Sequence, residues 1–455
     1  MVSQSIACLV SLSLVSGALG APDYRAIVDE HLSPLIDAGL IPGAVVAIHH
    51  DGEDSIWTIG TMNYDDDTPM SADALFEIGS VSKVFTGVLL ADSIARGEVT
   101  LDTTVDDLLP DGIDAKDKDG TEVTLRHLTT HTAGWPSMPP NAVYSDPDDP
   151  FAGYSRERMF RVVENVAPKT IPGESFEYSN FGVGLLGTLV SDAGGGEYEA
   201  LVKERVFKPL GIDGITITLD EAQLERLAPA TQEGRRTKHW TSMGTLDPAG
   251  MWVSDARSML EFANANLRDD DDELDPVLMA AREPIGESPF GKVGMNWFQA
   301  QDGSSYWHNG MTGGYSSYMG MNQELGISIV VLTNGATLVT TAAGEKIFQE
   351  VAGMDVEPVD LPAVVKVDPD FAARLVGHYK SQFFELWITN ENGRLFARIT
   401  NQQALRLAQE ADDPKTFRYE AVDAVLEFDL PAGGDAGAVT LFQNGMEIRC
   451  ERVEE

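Results

Sequence analysis

The sequence predicts an α+β fold: one antiparallel sheet covered by helices, with an inserted helical lobe, and then a small C-terminal all-β module. Three observations predict it. Strand-like runs stand at both ends of the first 335 residues, mostly helical patterns fill the span between them, and the last 85 residues read as alternating hairpins. At 455 residues and 43% hydrophobic composition, the chain can bury at least one large core.

Taken in order, residues 1–20 carry no charged side chain, and the apolar run 6–19 before Ala18-Leu19-Gly20-Ala21 reads as a cleaved export signal. A secreted or periplasmic location is therefore expected. The run is too short and too rich in serine and glycine for a membrane span. Cleavage would remove Cys8 and leave Cys450 as the one thiol, so the mature chain would have no internal disulfide.

Apolar spacing predicts a helix over residues 24–38, ended by Gly39 and Pro42. Residues 43–49 and 55–60 flank Asp51-Gly52-Glu53, a hairpin signal. Three further strands are predicted over residues 305–308, 316–321 and 327–333, the last closed by Asn334-Gly335. Pairing of the two groups would complete one sheet, with a cleft where sheet and helical lobe meet. Residues 21–355 make up this body. Residues 356–370, with Pro358, Pro362 and Pro369, read as a linker. In the module over 371–455, Asn392-Gly393 and Asn444-Gly445 mark hairpin turns, which suits a barrel.

Lys and Arg number 32 against 72 Asp and Glu, a formal net charge of −40. Such a surface repels nucleic acid and anionic membranes, so neither is expected as a partner. The acidic runs Asp65-Asp66-Asp67 and residues 269–273 read as hydrated loops. No cofactor or metal is expected either. His49, His50, His127 and His131 lack a metal-ligand spacing, and there is no HExxH or paired cysteine. Capping and core hydrogen bonding suit His127 and His131 better. Asp117, Asp119 and Gly120 imitate part of a calcium loop, but Ala115 and Arg126 stand where its first and last carboxylates belong. No GxSxG elbow or glycine-rich phosphate loop occurs.

The richest stretch runs from Phe76 to Thr86, FEIGSVSKVFT, passing from a strand-like run through glycine into an apolar helix. Ser80 stands at the helix start and Lys83 three residues on, so the amine lies on the same face one turn away. Burial would depress its pKa and leave a neutral amine able to take the serine proton. Alone, this pair is a weak signal, since ordinary composition gives about two such matches in a chain this long. A helix cap beside a solvated lysine would look the same.

Other segments agree with it. TLRHLTTHTAGWP over residues 124–136, Pro172-Gly173-Glu174 leading into Tyr178-Ser179-Asn180, and LDPAGMWVSDARSMLEFA over residues 246–263 join the Ser-x-x-Lys pair. Together they resemble the serine β-lactamase and penicillin-binding-protein superfamily, in the branch of class C β-lactamases, D-amino-acid-specific peptidases and related esterases. The resemblance implies a β-lactamase/transpeptidase-like fold, Ser80 as nucleophile, Lys83 beside it, Tyr178 assisting proton transfer and Asn180 contacting a substrate amide. Where a Lys-Thr-Gly would stand, the chain has His308-Asn309-Gly310, followed by Met311. An imidazole that titrates near neutrality would replace a constant cation there, which weakens any grip on a substrate carboxylate. The resemblance further implies that the amides of Ser80 and Met311 face the oxyanion, and that the C-terminal module is lipocalin-like.

The expected function is a serine hydrolase that works through an acyl-enzyme on amide or ester bonds of a small molecule or short peptide, with Lys83 or Tyr178 as the base. A binding protein of the same fold, sensing β-lactams or cell-wall fragments without turnover, is the alternative. The C-terminal module offers a surface for a homo-oligomer.

Overall fold

The computed structural model describes residues 22–453, apart from 65–66, 144–148, 233, 269–273, 360, 362–366, 392, 401–403, 411–412, 420–423 and 444–445. The export signal, the run 269–273 and the turn at Asn444-Gly445 lie outside the described residues.

Helix α1 (Tyr24–Asp37) is capped by Asp23, whose carboxylate accepts from the Ala26 amide. The sheet that follows is assembled from both ends of the body. Its strands are β1 (Gly43–His50), β2 (Glu53–Gly60), β3 (Gly286–Ser288), β4 (Gly291–Val293), β5 (Phe298–Gln299), β6 (Ser305–Met311), β7 (Ser316–Asn322) and β8 (Ile327–Thr333). They lie in the order β2-β1-β8-β7-β6-β5-β4-β3, each antiparallel to its neighbour. Asp51 and Gly52 both take positive φ, as a tight hairpin turn between β1 and β2 requires.

Strand β8, ISIVVLT, is buried throughout because both faces of the sheet are covered. Ile327, Ile329 and Val331 pack with residues of α1 and of α5 (Val339–Val351), while Val330 and Leu332 join the larger core on the other face. The centre of that core is α2 (Ser82–Ala95), which is buried almost all round. Phe85 of α2 is met edge-on by Phe207, Trp252 and Phe262, with centroids 4.9, 5.8 and 4.8 Å away. Also contributing to this core are α3 (Asn180–Gly194) and α4 (Ala256–Ala265).

The C-terminal strands β9 (Gly377–Lys380), β10 (Glu385–Glu391), β11 (Arg394–Ile399), β12 (Leu405–Gln409), β13 (Thr416–Tyr419), β14 (Ala424–Asp429), β15 (Ala438–Gln443) and β16 (Met446–Arg452) form a closed barrel in sequence order. Alternate residues such as Leu386, Ile388, Leu426, Phe428, Val439 and Leu441 fill its interior, as eight strands permit. Two details differ from the sequence expectations. The main sheet gains β3, β4 and β5, which are too short to show alternation. The helix Pro369–Leu375 begins inside the stretch read as linker.

Candidate active site

The short strand Phe76–Glu77 pairs with Val253–Ser254, and the chain then turns sharply at Gly79, whose φ is +52°. That left-handed geometry suits glycine. It feeds the single 3₁₀ turn Gly79–Val81 into α2, which sets Ser80 at the mouth of the helix. Strand β6 lies directly on this turn. A Cβ at Gly310 would stand 2.0 Å from the Ile78 carbonyl oxygen and 2.8 Å from the Ser80 amide nitrogen; one at Gly79 would stand 2.5 Å from the Met311 nitrogen. The Ser317 hydroxyl, opposite Gly310 in register, donates to the Ile78 carbonyl at 2.7 Å and fixes the contact. The backbones of Ser80 and Met311 are thereby brought together at one point.

Lys83 is completely buried. Its Nζ lies 2.9 Å from Ser80 Oγ, 2.7 Å from Asn180 Oδ1 and 2.5 Å from the Ala249 carbonyl oxygen. All three partners are uncharged. Burial holds the amine well below the ordinary lysine pKa. In its neutral form the amine can keep two N–H bonds donating to Asn180 and Ala249 and turn its lone pair to the serine hydroxyl. The segment carrying Ala249 is fastened along α2, for the Trp252 amide donates to Ser82 Oγ at 3.1 Å and Thr86 donates to the Pro248 carbonyl at 2.8 Å.

Tyr178 leads into α3, and its ring lies 4.9 Å from Lys83 Nζ. Enclosure raises the phenol pKa above the ordinary tyrosine value, against an opposing hydrogen bond with Ser80. The phenol therefore stays protonated near neutrality. The His131 ring lies against it, tilted by 32° with centroids 4.4 Å apart, and its Nδ1 accepts from the Ser179 amide at 3.2 Å. His127 caps its own helix through Thr124, so both histidines have the capping and core roles the sequence suggested. What the sequence did not show is that His131 also supports Tyr178. Asn180, expected against a substrate amide, holds the lysine with Oδ1 and turns Nδ2 to Met138 Sδ at 3.2 Å.

His308 needs a correction. It was expected to titrate near neutrality, but the ring is fully buried, 6.4 Å from that of Tyr178, and its pKa is pushed down to about 3, chiefly by desolvation. Nδ1 lies 2.6 Å from the Asn309 carbonyl, which fixes the proton there. Such a group binds a proton in the unfolded chain below pH 6.5 but not in the folded one, so it contributes stability above that pH that is lost as pH falls from 6.5 towards 3. His308→Gln is expected to leave any neutral limb of the kcat/KM profile unmoved and to flatten the fall in urea midpoint between pH 6.5 and 4. A limb that moves with the substitution would restore the titrating role.

Around these groups stand side chains that the motifs did not mark. Phe176, Phe290, Phe298 and Trp307 form an aromatic cluster that reaches His308, with Phe298 5.1 Å from it, and His131, with Phe176 5.6 Å from it. On the other side, Trp240 lies against the loop after Met311: a Cβ at Gly313 would stand 2.7 Å from its Nε1. Its amide donates to Glu77 Oε1 at 2.6 Å. Glu77 is buried, and desolvation pushes its pKa up to about 7. The one signal available for it was a carboxylate inside an apolar strand three residues before Ser80. Among the described residues no group of three His, Cys, Asp or Glu could hold a metal ion, and no helix is long and apolar enough to cross a membrane.

The β-lactamase family model matches residues 28–353. A β-lactamase of Escherichia coli K12 is 33% identical over 264 residues, covering 57% of this chain and 66% of the relative. The D-alanyl-D-alanine-carboxypeptidase/endopeptidase AmpH of the same organism is 27% identical over 232 residues, covering 50% of this chain and 59% of its own length. The chain thus spans just under two thirds of the first relative and less of the second. Among solved structures, the β-lactamase from Sulfitobacter sp. EE-36 superposes with a TM-score of 0.64 at 21% identity, covering 74% of this chain and all of that one, which shows the shared fold.

Proposed function

Because this chain belongs to the β-lactamase family of serine hydrolases, we propose that Ser80 is its nucleophile and that it cleaves uncharged esters or amides through an acyl-enzyme. One observation carries the reading: the fully buried amine of Lys83 lies 2.9 Å from Ser80 Oγ with only neutral partners. Nucleophile and base are within reach, and burial, which disfavours the charged amine, favours the form that can accept the serine proton.

In this mechanism Ser80 Oγ forms a bond to the substrate carbonyl as its proton passes to Lys83 Nζ. The amides of Ser80 and Met311 hold the oxyanion. Collapse breaks the bond to the leaving group, which takes the proton from Lys83 by way of the Tyr178 hydroxyl. Water, deprotonated by the same amine, then attacks the acyl carbonyl; the acyl–Oγ bond breaks, the acid leaves and Lys83 returns the proton to Ser80 Oγ. The opposite pKa directions at Lys83 and Tyr178 favour the amine as base and the phenol as relay. His308, neutral where a lactamase-type lysine would stand, offers no permanent charge to a carboxylate, and the aromatic cluster suits an apolar acyl group. These features favour an esterase or amidase over a penicillin hydrolase. The apolar stretch of residues 6–19 supports work outside the cytoplasm.

The test is to trap the intermediate. Incubation with p-nitrophenyl acetate, acid quench and peptide mass analysis should find one acetyl group on the peptide containing Ser80, decaying at the rate of turnover. Turnover with no acyl on that peptide would reject Ser80 as nucleophile. A stable acyl group without turnover would favour the sensor instead.

A further inference from the structure

We propose that the C-terminal barrel sets the substrate-binding wall by clamping the segment that carries Trp240. The inference rests on the serine-hydrolase reading above. The segment Ala230–Trp240 spans from the barrel to the cleft. At the cleft, the Thr231 amide donates to the Gly314 carbonyl at 3.1 Å, Thr237 packs on Gly314, and Trp240 packs on Gly313 while its amide donates to Glu77. Gly313 and Gly314 follow Met311 by two and three residues, and Glu77 precedes Ser80 by three. The wall is therefore built onto both sides of the catalytic turn.

Thr231–Gln232 and Arg235–Arg236 form a two-residue ladder, and Arg235 carries it to barrel strands β10 and β11. There the Arg235 guanidinium lies 3.8 Å over the Phe396 ring, donates to Thr389 Oγ1 at 3.2 Å and pairs with Glu391. Arg394 of β11 lies across Gly234, where a Cβ would stand 2.6 Å from Nη1, and over the Tyr64 ring at 4.4 Å. A planar guanidinium held on an aromatic face and by a carboxylate is fixed in orientation as well as position. Trp240 stands five positions after Arg235, and the backbone between them is tied at the Thr237 amide to the Ala230 carbonyl at 3.0 Å. Freedom at Arg235 becomes freedom at Trp240. Arg235 and Glu391 are positioning residues, acting on substrate through the indole.

The test compares Arg235→Ala, Glu391→Gln and Trp240→Ala with the native full chain on p-nitrophenyl phenylacetate, whose acyl group reaches the wall, and on the smaller acetate. Both clamp variants should raise KM for the phenylacetate about fivefold, a usual size for coupling between sites, with kcat and the rate of Ser80 labelling by a small fluorophosphonate unchanged. In the Trp240→Ala background, either clamp change should add nothing further to KM. Glu391→Gln alters a half-exposed carboxylate and keeps the fold testable if Arg235→Ala destabilises the chain. Native KM in Glu391→Gln, or a KM effect that persists in full without Trp240, would overturn the clamp while leaving the nucleophile assignment intact. Failure of the native chain to be labelled at Ser80 would instead refute the reading on which the clamp rests.

Discussion

Replacing Lys83 with methionine should lower kcat/KM by about 10³- to 10⁵-fold, and Ser80→Ala should cost a similar factor, because a nucleophile and its base act as one unit. Methionine keeps the length and apolar bulk of the side chain in a site with no exposure, so the fold should persist. What disappears is the amine nitrogen 2.9 Å from Ser80 Oγ. The double variant should be no worse than either single one. Steady-state rates on p-nitrophenyl acetate, with a thermal melt for each protein, check all three. Lys83→Met retaining more than about a tenth of native kcat/KM would remove the amine from the role of base. In the native enzyme, kcat/KM should rise with pH as the amine loses its proton and level off far below the ordinary lysine range, since only the neutral form can accept from the hydroxyl.

The second large effect is expected at Gly310. A methyl group there would fall 2.0 Å from the Ile78 carbonyl oxygen and 2.8 Å from the Ser80 nitrogen, both backbone atoms with no freedom to swing aside. Strand β6 and the nucleophile turn must separate, which moves the Met311 amide away from Ser80. Gly310→Ala should therefore lose about a hundredfold in kcat, the scale of one missing oxyanion donor. Overpacking should destabilise the chain by about 1–3 kcal/mol in the same variant. Stopped-flow acylation against a urea melt separates the two effects. Native acylation with a native melt would mean that this contact does not set the oxyanion geometry.

Much of the architecture was legible because its signals are local. The apolar run of β8 and the Asp51-Gly52 turn name their own conformations, and the Ser80–Lys83 spacing needs only a helix to bring the two groups together. Strands β3 to β5, at two or three residues each, carry too little pattern to be read. The environment of His308 was hidden for a different reason. Residue type supplies the ordinary imidazole pKa, while the shift to about 3 comes chiefly from burial among residues far away in the sequence. Trp240 was likewise unmarked, since what matters is the backbone hydrogen bond to Glu77, 163 positions earlier in the chain.

The pairing of Val46 with Val331 has a bearing on biosynthesis. A nascent chain leaving the ribosome displays β1 and β2 long before β8 emerges, so an apolar hairpin must wait, shielded by α1 or by a chaperone, until β8 has been synthesised. The barrel strands each find a neighbour within a few dozen residues.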